Sequence, residues 1–296
     1  MEFKMTTIWQ QAARTRAAAI ACGALKPIAT ESLEICEHGI PFVIRVLSSL
    51  RDKSQALERL HQAADRHHNP FLTPEPELLV SEVPPAHRCI LNKFCVIDRH
   101  LLLVTRDFEP QSRVLNRQDF AALATCMRQG PALAFFNGGP DAGASQPHKH
   151  LQMLPLDKTA APPFGPLLDD AATRGLGQVP QLPFRHRLVA LPQKLLQDTT
   201  AAAEWLNGRY RSALDALGIE VSAGSDVRQA YNLLLTARWM LLVPRLGEKS
   251  GEVSVNALGF VGWLLVKRRK QAECLQAQGL MDTLIAVSGS GANRNG

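Results

Sequence analysis

The chain has no Cys-x-x-Cys pair, no long apolar run and almost no acid beside its most distinctive motif. Its six cysteines stand singly, at Cys22, Cys36, Cys89, Cys95, Cys126 and Cys274. That spacing argues against a zinc knuckle and against a dithiol redox centre. Cys22, Cys89, Cys95 and Cys126 fall in apolar stretches and read as small core residues. No segment approaches the ~20 uninterrupted apolar residues of a membrane span. The Ala-rich start is broken by Gln10, Gln11, Arg14 and Arg16, so it does not read as a signal peptide. A reducing, cytoplasmic setting without membrane contact is therefore expected. Charge is also far from extreme: 33 basic against 27 acidic residues leave +6. This balance suits a polyanionic ligand such as a nucleotide, and does not by itself indicate nucleic acid. The one dense basic run, Lys267-Arg-Arg-Lys270, reads as a solvated helix end where cations suit the dipole.

What is present is an ordinary globular composition, 46% apolar and 20% charged, in 296 residues. That length can bury a large core. Residues 5–22 read as a helix with Ile8, Ala12 and Ala19 on its apolar stripe, and Pro41 to Leu50 as a strand. Ser54 to His67 read as a helix closed by Asn69-Pro70. Two later stretches resemble each other, Leu91 to Arg106 and Tyr231 to Arg245. Each is an apolar strand, a polar turn (Asp98-Arg-His100; Thr236-Ala-Arg238) and an apolar strand ending Leu-Leu-Val-(Thr/Pro)-Arg. They read as related hairpins; the alternative is that buried hairpins look alike by composition alone. The expected fold is α+β, an antiparallel sheet with flanking helices built from two related halves. The halves would be 5–156 and 184–287, joined by a Pro-rich connection, 157–183, and followed by a flexible Gly/Ser/Asn tail, 288–296. Ser254 to Trp263, which has no histidine, is read as the second half's counterpart of the motif described next.

That motif is His148-Lys-His-Leu-Gln152, preceded by Gly143-Ala-Ser-Gln-Pro. On a strand, alternate residues share a face, so His148, His150 and Gln152 line one surface and Lys149 and Leu151 the other. Three readings compete. Two histidines at i and i+2 on a strand can ligate zinc, with His100, His186 and Asp141 as candidate further ligands. They can instead be structural, buried and satisfied by hydrogen bonds. Or one imidazole attacks phosphorus and carries a nucleotidyl group, which needs a neutral nucleophilic nitrogen and donors on the phosphate oxygens. Gln152 and the amides of Gly143 to Gln146 would be the donors, and Gly143 lets backbone approach closely. If 258–268 is helical, Gly259, Trp263 and Lys267 share one face as an aromatic platform beside a cation.

The motif resembles the nucleotidyltransferase branch of the histidine-triad superfamily, in which Gln replaces a third histidine. In detail the chain is similar to the ATP adenylyltransferase, or diadenosine tetraphosphate phosphorylase, family. The likeness runs through Asn137 to Gln152, Leu91-Asn-Lys-Phe94, Leu101 to Glu109, Tyr231-Asn232 and Asn256 to Lys267, over roughly residues 40–270. The resemblance implies that His150 carries AMP, with His148 and Gln152 orienting it and holding the α-phosphate. It implies substrate contacts at Asn92, Lys93, Asn137, Gly143, Ala144, Ser145, Gln146, Asn256, Ala257, Leu258, Trp263 and Lys267. Lys53 stands where the family has a phosphate-contacting lysine, with Arg51 as the alternative. The partners implied are small-molecule nucleotides: diadenosine tetraphosphate, ATP and ADP, together with phosphate. A divalent cation, Mg²⁺, is expected with the substrate phosphates rather than in a protein cage, since Asp141 is the one acid near the motif. Sugar-phosphate uridylyltransferases are similar but typically have Pro where this chain has Lys149.

Overall fold

Leu-rich runs such as Leu101–Thr105 and Tyr231–Leu235 are buried throughout and offer no polar face, so they need cover on both sides of a sheet. They have it in the computed structural model, which describes residues 6–47, 69–157, 161–222, 224 and 226–291. The expected helix from Ser54 to His67, and Arg51 and Lys53, lie outside the described residues.

The first strands are β1 (Thr30–Glu37), β2 (Ile40–Leu47), β3 (Leu79–Val83), β4 (His87–Leu91), β5 (Leu101–Thr105), β6 (Ala132–Gly138) and β7 (His150–Pro155). After them come β8 (Arg187–Ala190), β9 (Tyr231–Leu235), β10 (Trp239–Pro244), β11 (Lys249–Ser250), β12 (Val253–Ser254) and β13 (Trp263–Val266). The helices are α1 (Ile8–Ala21), α2 (Arg117–Met127), α3 (Gly165–Thr173), α4 (Thr199–Ala216), α5 (Arg269–Gln278) and α6 (Leu280–Ser288). Eight strands form one antiparallel sheet in the order β3-β4-β5-β7-β6-β9-β10-β8. A second sheet, β1-β2-β13, pairs β13 parallel to β2.

Strict alternation sorts the side chains of the large sheet into two cores. Leu151, Met153, Phe136, Leu233 and Leu242 join Phe120 and Leu123 of α2 and Leu206 and Tyr210 of α4 on one face. Leu154, Phe135, Leu234 and Leu241 join α3, α5, α6 and the small sheet on the other. The α+β expectation holds, and the large sheet is the floor on which the motif stands.

The relation between the halves differs from the sequence reading. Outward from the central β6–β9 pair, the order β6-β7-β5 is mirrored by β9-β10-β8. Helix α2, between β5 and β6, is likewise matched by α4, between β8 and β9. The counterpart of the β9–β10 hairpin is thus β6–β7, not Leu91 to Arg106. That stretch is no tight hairpin, because β4 ends at Leu91 and residues 92–100 are irregular before β5. Composition reports burial, which both stretches share, and not position in a sheet. The counterpart of the histidine strand is β10, not Ser254 to Trp263. Thr236-Ala-Arg238 replaces the whole loop 139–149 there, leaving no room for a second site.

Three other expectations are corrected. Residues 258–268 are not a helix: Ala257–Val261 is a 3₁₀ turn, Gly262 (φ 92°) ends it, and Trp263 enters β13. A β-branched and aromatic run beside the open edge of β2 finds its hydrogen bonds there rather than in a helix. The basic run opens α5 instead of closing a helix, so it meets the unfavourable end of the dipole. The tail expected to be flexible from Ser288 is held as far as Gly291. Ser288 is buried at the end of α6, Ser290 bridges Phe184, and Gly291 N–H donates to Pro183 O at 2.7 Å.

Candidate active site

Residue spacing alone puts His150 and Gln152 on the same face of β7, and both line a cleft of about 990 Å³ between the two sheets. Lys149 and Leu151 point the other way, as alternation requires. The cleft also takes in Asn92, Lys93, Asn137, Gly143, Ala144, Ser145, Gln146, Asn256, Leu258, Trp263 and Lys267. The tertiary structure therefore gathers residues from three separate stretches of chain, 92–93, 137–152 and 256–267. Ala257 lies behind this wall, with its N–H donating to Asn137 Oδ1 at 3.0 Å.

The two histidines are held differently. His150 Nδ1 lies 2.8 Å from the His148 carbonyl oxygen, which can only accept. Nδ1 therefore carries the proton, and a neutral His150 ring has its lone pair on Nε2. The His148 ring itself is fully buried and does not line the cleft. Its Nε2–H donates to Thr105 O at 2.8 Å. Asn69 Oδ1 accepts from Phe71 N–H at 3.0 Å, which turns the Asn69 amide NH₂ toward His148 Nδ1, also at 3.0 Å. Burial pulls the His148 pKa below its ordinary value of 6.5, against opposing hydrogen bonds from nearby backbone. His148 is thus a neutral, satisfied ring that acts on His150 through its backbone carbonyl. Phe71 packs against both rings, with centroids 5.8 Å and 5.0 Å away.

Gln152 has its orientation fixed by a relay. Phe94 N–H donates to Asn92 Oδ1, so the Asn92 NH₂ donates to His100 Nδ1 at 3.2 Å. His100 Nε2–H then donates to Gln152 Oε1 at 2.9 Å. The carbonyl end of Gln152 is used, and its NH₂ end has no acceptor among the described residues. Gln111 clamps the same strand: its Oε1 accepts His150 N–H at 2.8 Å and its Nε2 donates to Asn137 O at 2.8 Å.

The loop between β6 and β7 is built on Gly139 and Gly143, both at positive φ. Gly143 and Ala144 donate their own amides back to Pro140 O and Gly139 O, at 2.8 and 3.3 Å. Among the described residues of this run, the amides of Ser145 and Gln146 have no internal acceptor, so those two are the donors available to a phosphate. A Cβ on Gly143 would meet Asn256 Cβ at 2.9 Å and Cα at 3.0 Å. Gly143→Ala is expected to cost about 1–2 kcal/mol from its φ of +86° alone. Displacing the loop should lower kcat/KM by about tenfold or more. Denaturant titration and steady-state kinetics would check both, and a variant with native kinetics would contradict the assignment.

On the C-terminal side, Asn137 Oδ1 accepts from Asn232 Nδ2 at 2.9 Å, and Asn232 Oδ1 accepts from Arg245 Nη1 at 2.7 Å. The second half braces the site rather than repeating it. Beneath the strand, the fully buried Lys149 ammonium pairs with Asp119 Oδ2 at 2.5 Å and Glu109 Oε2 at 3.2 Å. Asp119 Oδ1 also meets His87 Nε2 at 2.9 Å.

The zinc reading gathers no ligand set: both His186 nitrogens are engaged, by Val179 N–H and Phe184 O, and His100 serves Gln152. Among the described residues, no group of three or more His, Cys, Asp or Glu is placed to hold a metal ion. Nor is any helix there long and apolar enough to cross a membrane. Sequence reasoning missed Asn69, Thr105 and Gln111, and saw His100 only as a metal candidate. The Asn69-Pro70 pair signalled a helix stop and nothing more.

Residues 1–170 match the family model described as the Ap4A phosphorylase N-terminal domain. Residues 180–289 match the ATP adenylyltransferase C-terminal domain. Diadenosine 5',5'''-P1,P4-tetraphosphate phosphorylase 2 of Saccharomyces cerevisiae is 32% identical over 232 residues, 70% of this chain and 71% of that protein. Protein APA1 of the same yeast is 28% identical over 274 residues, 83% and 82% of the two chains. The crystal structure of yeast Ap4A phosphorylase Apa2 in complex with AMP superposes with a TM-score of 0.76 at 26% identity, covering 98% of each chain.

Proposed function

The chain belongs to the diadenosine tetraphosphate phosphorylase family of ATP adenylyltransferases, and on that premise we propose that it catalyses diadenosine tetraphosphate + phosphate ⇌ ATP + ADP through an adenylyl group carried on His150. The observation that carries this reading is the His150 Nδ1 contact to the His148 carbonyl, which puts the ring's lone pair on Nε2 in a cleft lined by Lys93, Lys249, Lys267 and Arg268. Nε2 attacks the α-phosphorus; the P–N bond forms, the P–O bond to the bridging oxygen breaks, and ATP leaves with that electron pair. The His148 carbonyl steadies the positive charge that develops on the ring. Gln152 NH₂ and the Ser145 and Gln146 amides face the non-bridging oxygens, and Lys93 stands near the polyphosphate. Phosphate oxygen then attacks the same phosphorus, the P–N bond breaks, and ADP leaves with the imidazole restored. Two inversions give net retention at phosphorus.

Mg²⁺ is part of the proposal, held by substrate phosphate oxygens and water. The cleft carboxylates that would assist are Glu248 and Glu252, since Glu75 is already bound to Lys93 at 2.7 Å. When bound, it neutralises charge on the leaving phosphates. A cytoplasmic setting fits six unpaired cysteines.

Incubation with diadenosine tetraphosphate should give ATP plus ADP only when phosphate is added. Without phosphate, one equivalent of ATP should appear per site together with adenylylated protein. Steady cleavage without phosphate would mean a hydrolase, and no reaction at all would mean a binding protein.

A further inference from the structure

Arg45 is one of the cleft residues that the reaction scheme leaves without a task. It sits on β2 with Val43 and Leu47 on the same face, in register with Leu265 of β13. It therefore shares a wall with Trp263, Leu265 and Lys267, on the small sheet, whereas His150 and Gln152 stand on the large one. Its guanidinium is poorly satisfied. Nη1 donates to Thr30 Oγ1 at 3.4 Å, and Nε is buried with no acceptor among the described residues. No described carboxylate pairs with it. Arg45 is half-buried, and the fully buried Arg245 shows what a structural guanidinium looks like in this chain: it donates to Asn232 Oδ1 and to the carbonyls of Val287, Gly247 and Glu248. Burial disfavours the charge of Arg45, lowering its pKa. A partly desolvated cation without a counter-ion is unfavourable, and here it opens on a cleft whose other cations include Lys93, Lys249, Lys267 and Arg268.

We propose that Arg45 binds a phosphate of the leaving nucleotide, the part of the dinucleotide that is not transferred to His150. The inference rests on the reading of the site given above. The α-phosphate occupies the His150 and Gln152 wall, so the rest of the polyphosphate must reach other surfaces of the cleft. Arg45 supplies the forked donors that a phosphate takes best, beside the apolar Trp263 and Leu265 that a second nucleoside would rest on.

The test is calorimetric binding in a His150→Ala background, where no turnover occurs, comparing diadenosine tetraphosphate with AMP. Arg45→Met keeps the apolar stem and should weaken dinucleotide binding at least tenfold while AMP binding stays within about twofold. Arg45→Lys should recover part of the loss. Unchanged binding of both ligands, or an equal loss of both, overturns the assignment of Arg45. If His150→Ala protein with Arg45 intact does not bind the dinucleotide, the functional reading fails with it.

Discussion

His150→Ala is expected to lower phosphorolysis of diadenosine tetraphosphate by on the order of 10⁴-fold or more, with nucleotide affinity little changed. The size of the effect follows from what is lost. Without the imidazole, phosphate must attack the dinucleotide directly, and no adenylyl intermediate can form. Binding should persist because the donors proposed for the phosphates lie on other cleft residues, Lys93, Ser145, Gln146 and Gln152. His148→Ala should behave differently. It removes no nucleophile and leaves Thr105 and Asn69 facing a cavity, so its loss should appear in stability as well as in kcat. Phosphate-dependent ATP release, followed alongside denaturant unfolding, separates the two variants. If His150→Ala kept most of its activity while His148→Ala stayed folded and inactive, the assignment of nucleophile would be reversed.

The second large effect concerns stability. Asp119→Ala is expected to cost about 3–5 kcal/mol, because it strands a buried ammonium. Lys149 is wholly buried, and Glu109 would be its remaining carboxylate partner. The Asp119 carboxylate also accepts from Asn116 N–H at 2.8 Å and closes the capping box of α2. Lys149→Met in the same chain should return part of the loss, since an apolar side chain of similar length needs no counter-ion. A cost under about 1 kcal/mol by urea titration would show that water reaches the pair. The pH dependence has a definite sign. Burial pushes the Asp119 pKa up, but His87 and Lys149 outweigh it and hold it below 3.8. A carboxylate with a depressed folded pKa stabilises fully above its unfolded value and loses that contribution as pH falls through the folded one. His148, whose pKa lies below 6.5, acts in the same direction at higher pH: the unfolded chain binds the proton first, so stability falls as pH drops below 6.5. Acid sensitivity should therefore develop in two stages, and Asp119→Ala should blunt the lower one.

Much of the site was legible in the residues themselves. Alternation along a strand put His150 and Gln152 on one face and Lys149 on the other, but it also put His148 at the cleft, where the structure buries that ring instead. The glycines of the preceding loop marked a place of close backbone approach. The symmetry of the halves was legible only as a likeness of composition, and composition paired the wrong strands. Ala257–Val261 was misread because a Gly/Trp spacing that fits a helix face also fits a turn followed by a strand, and the partner strand β2 lies more than 200 residues earlier.

The sequence by itself determined the chemistry on offer: a strand with two imidazoles and an amide, a small-residue loop, scattered cations and no metal-binding cysteine pair. These are local properties, set by the period of the strand and by the side chains present. Only the tertiary structure decided how each imidazole is held. The difference rests on hydrogen bonds made across the chain, Asn69 and Thr105 closing both nitrogens of His148, and His100 taking the carbonyl end of Gln152. It also decided that Lys149, which alternation had turned away from the motif's face, is a buried prop paired with Asp119, because that face is covered by α2. A sequence states which groups can donate, accept or attack, whereas folding fixes which of those capacities are already spent on the protein itself.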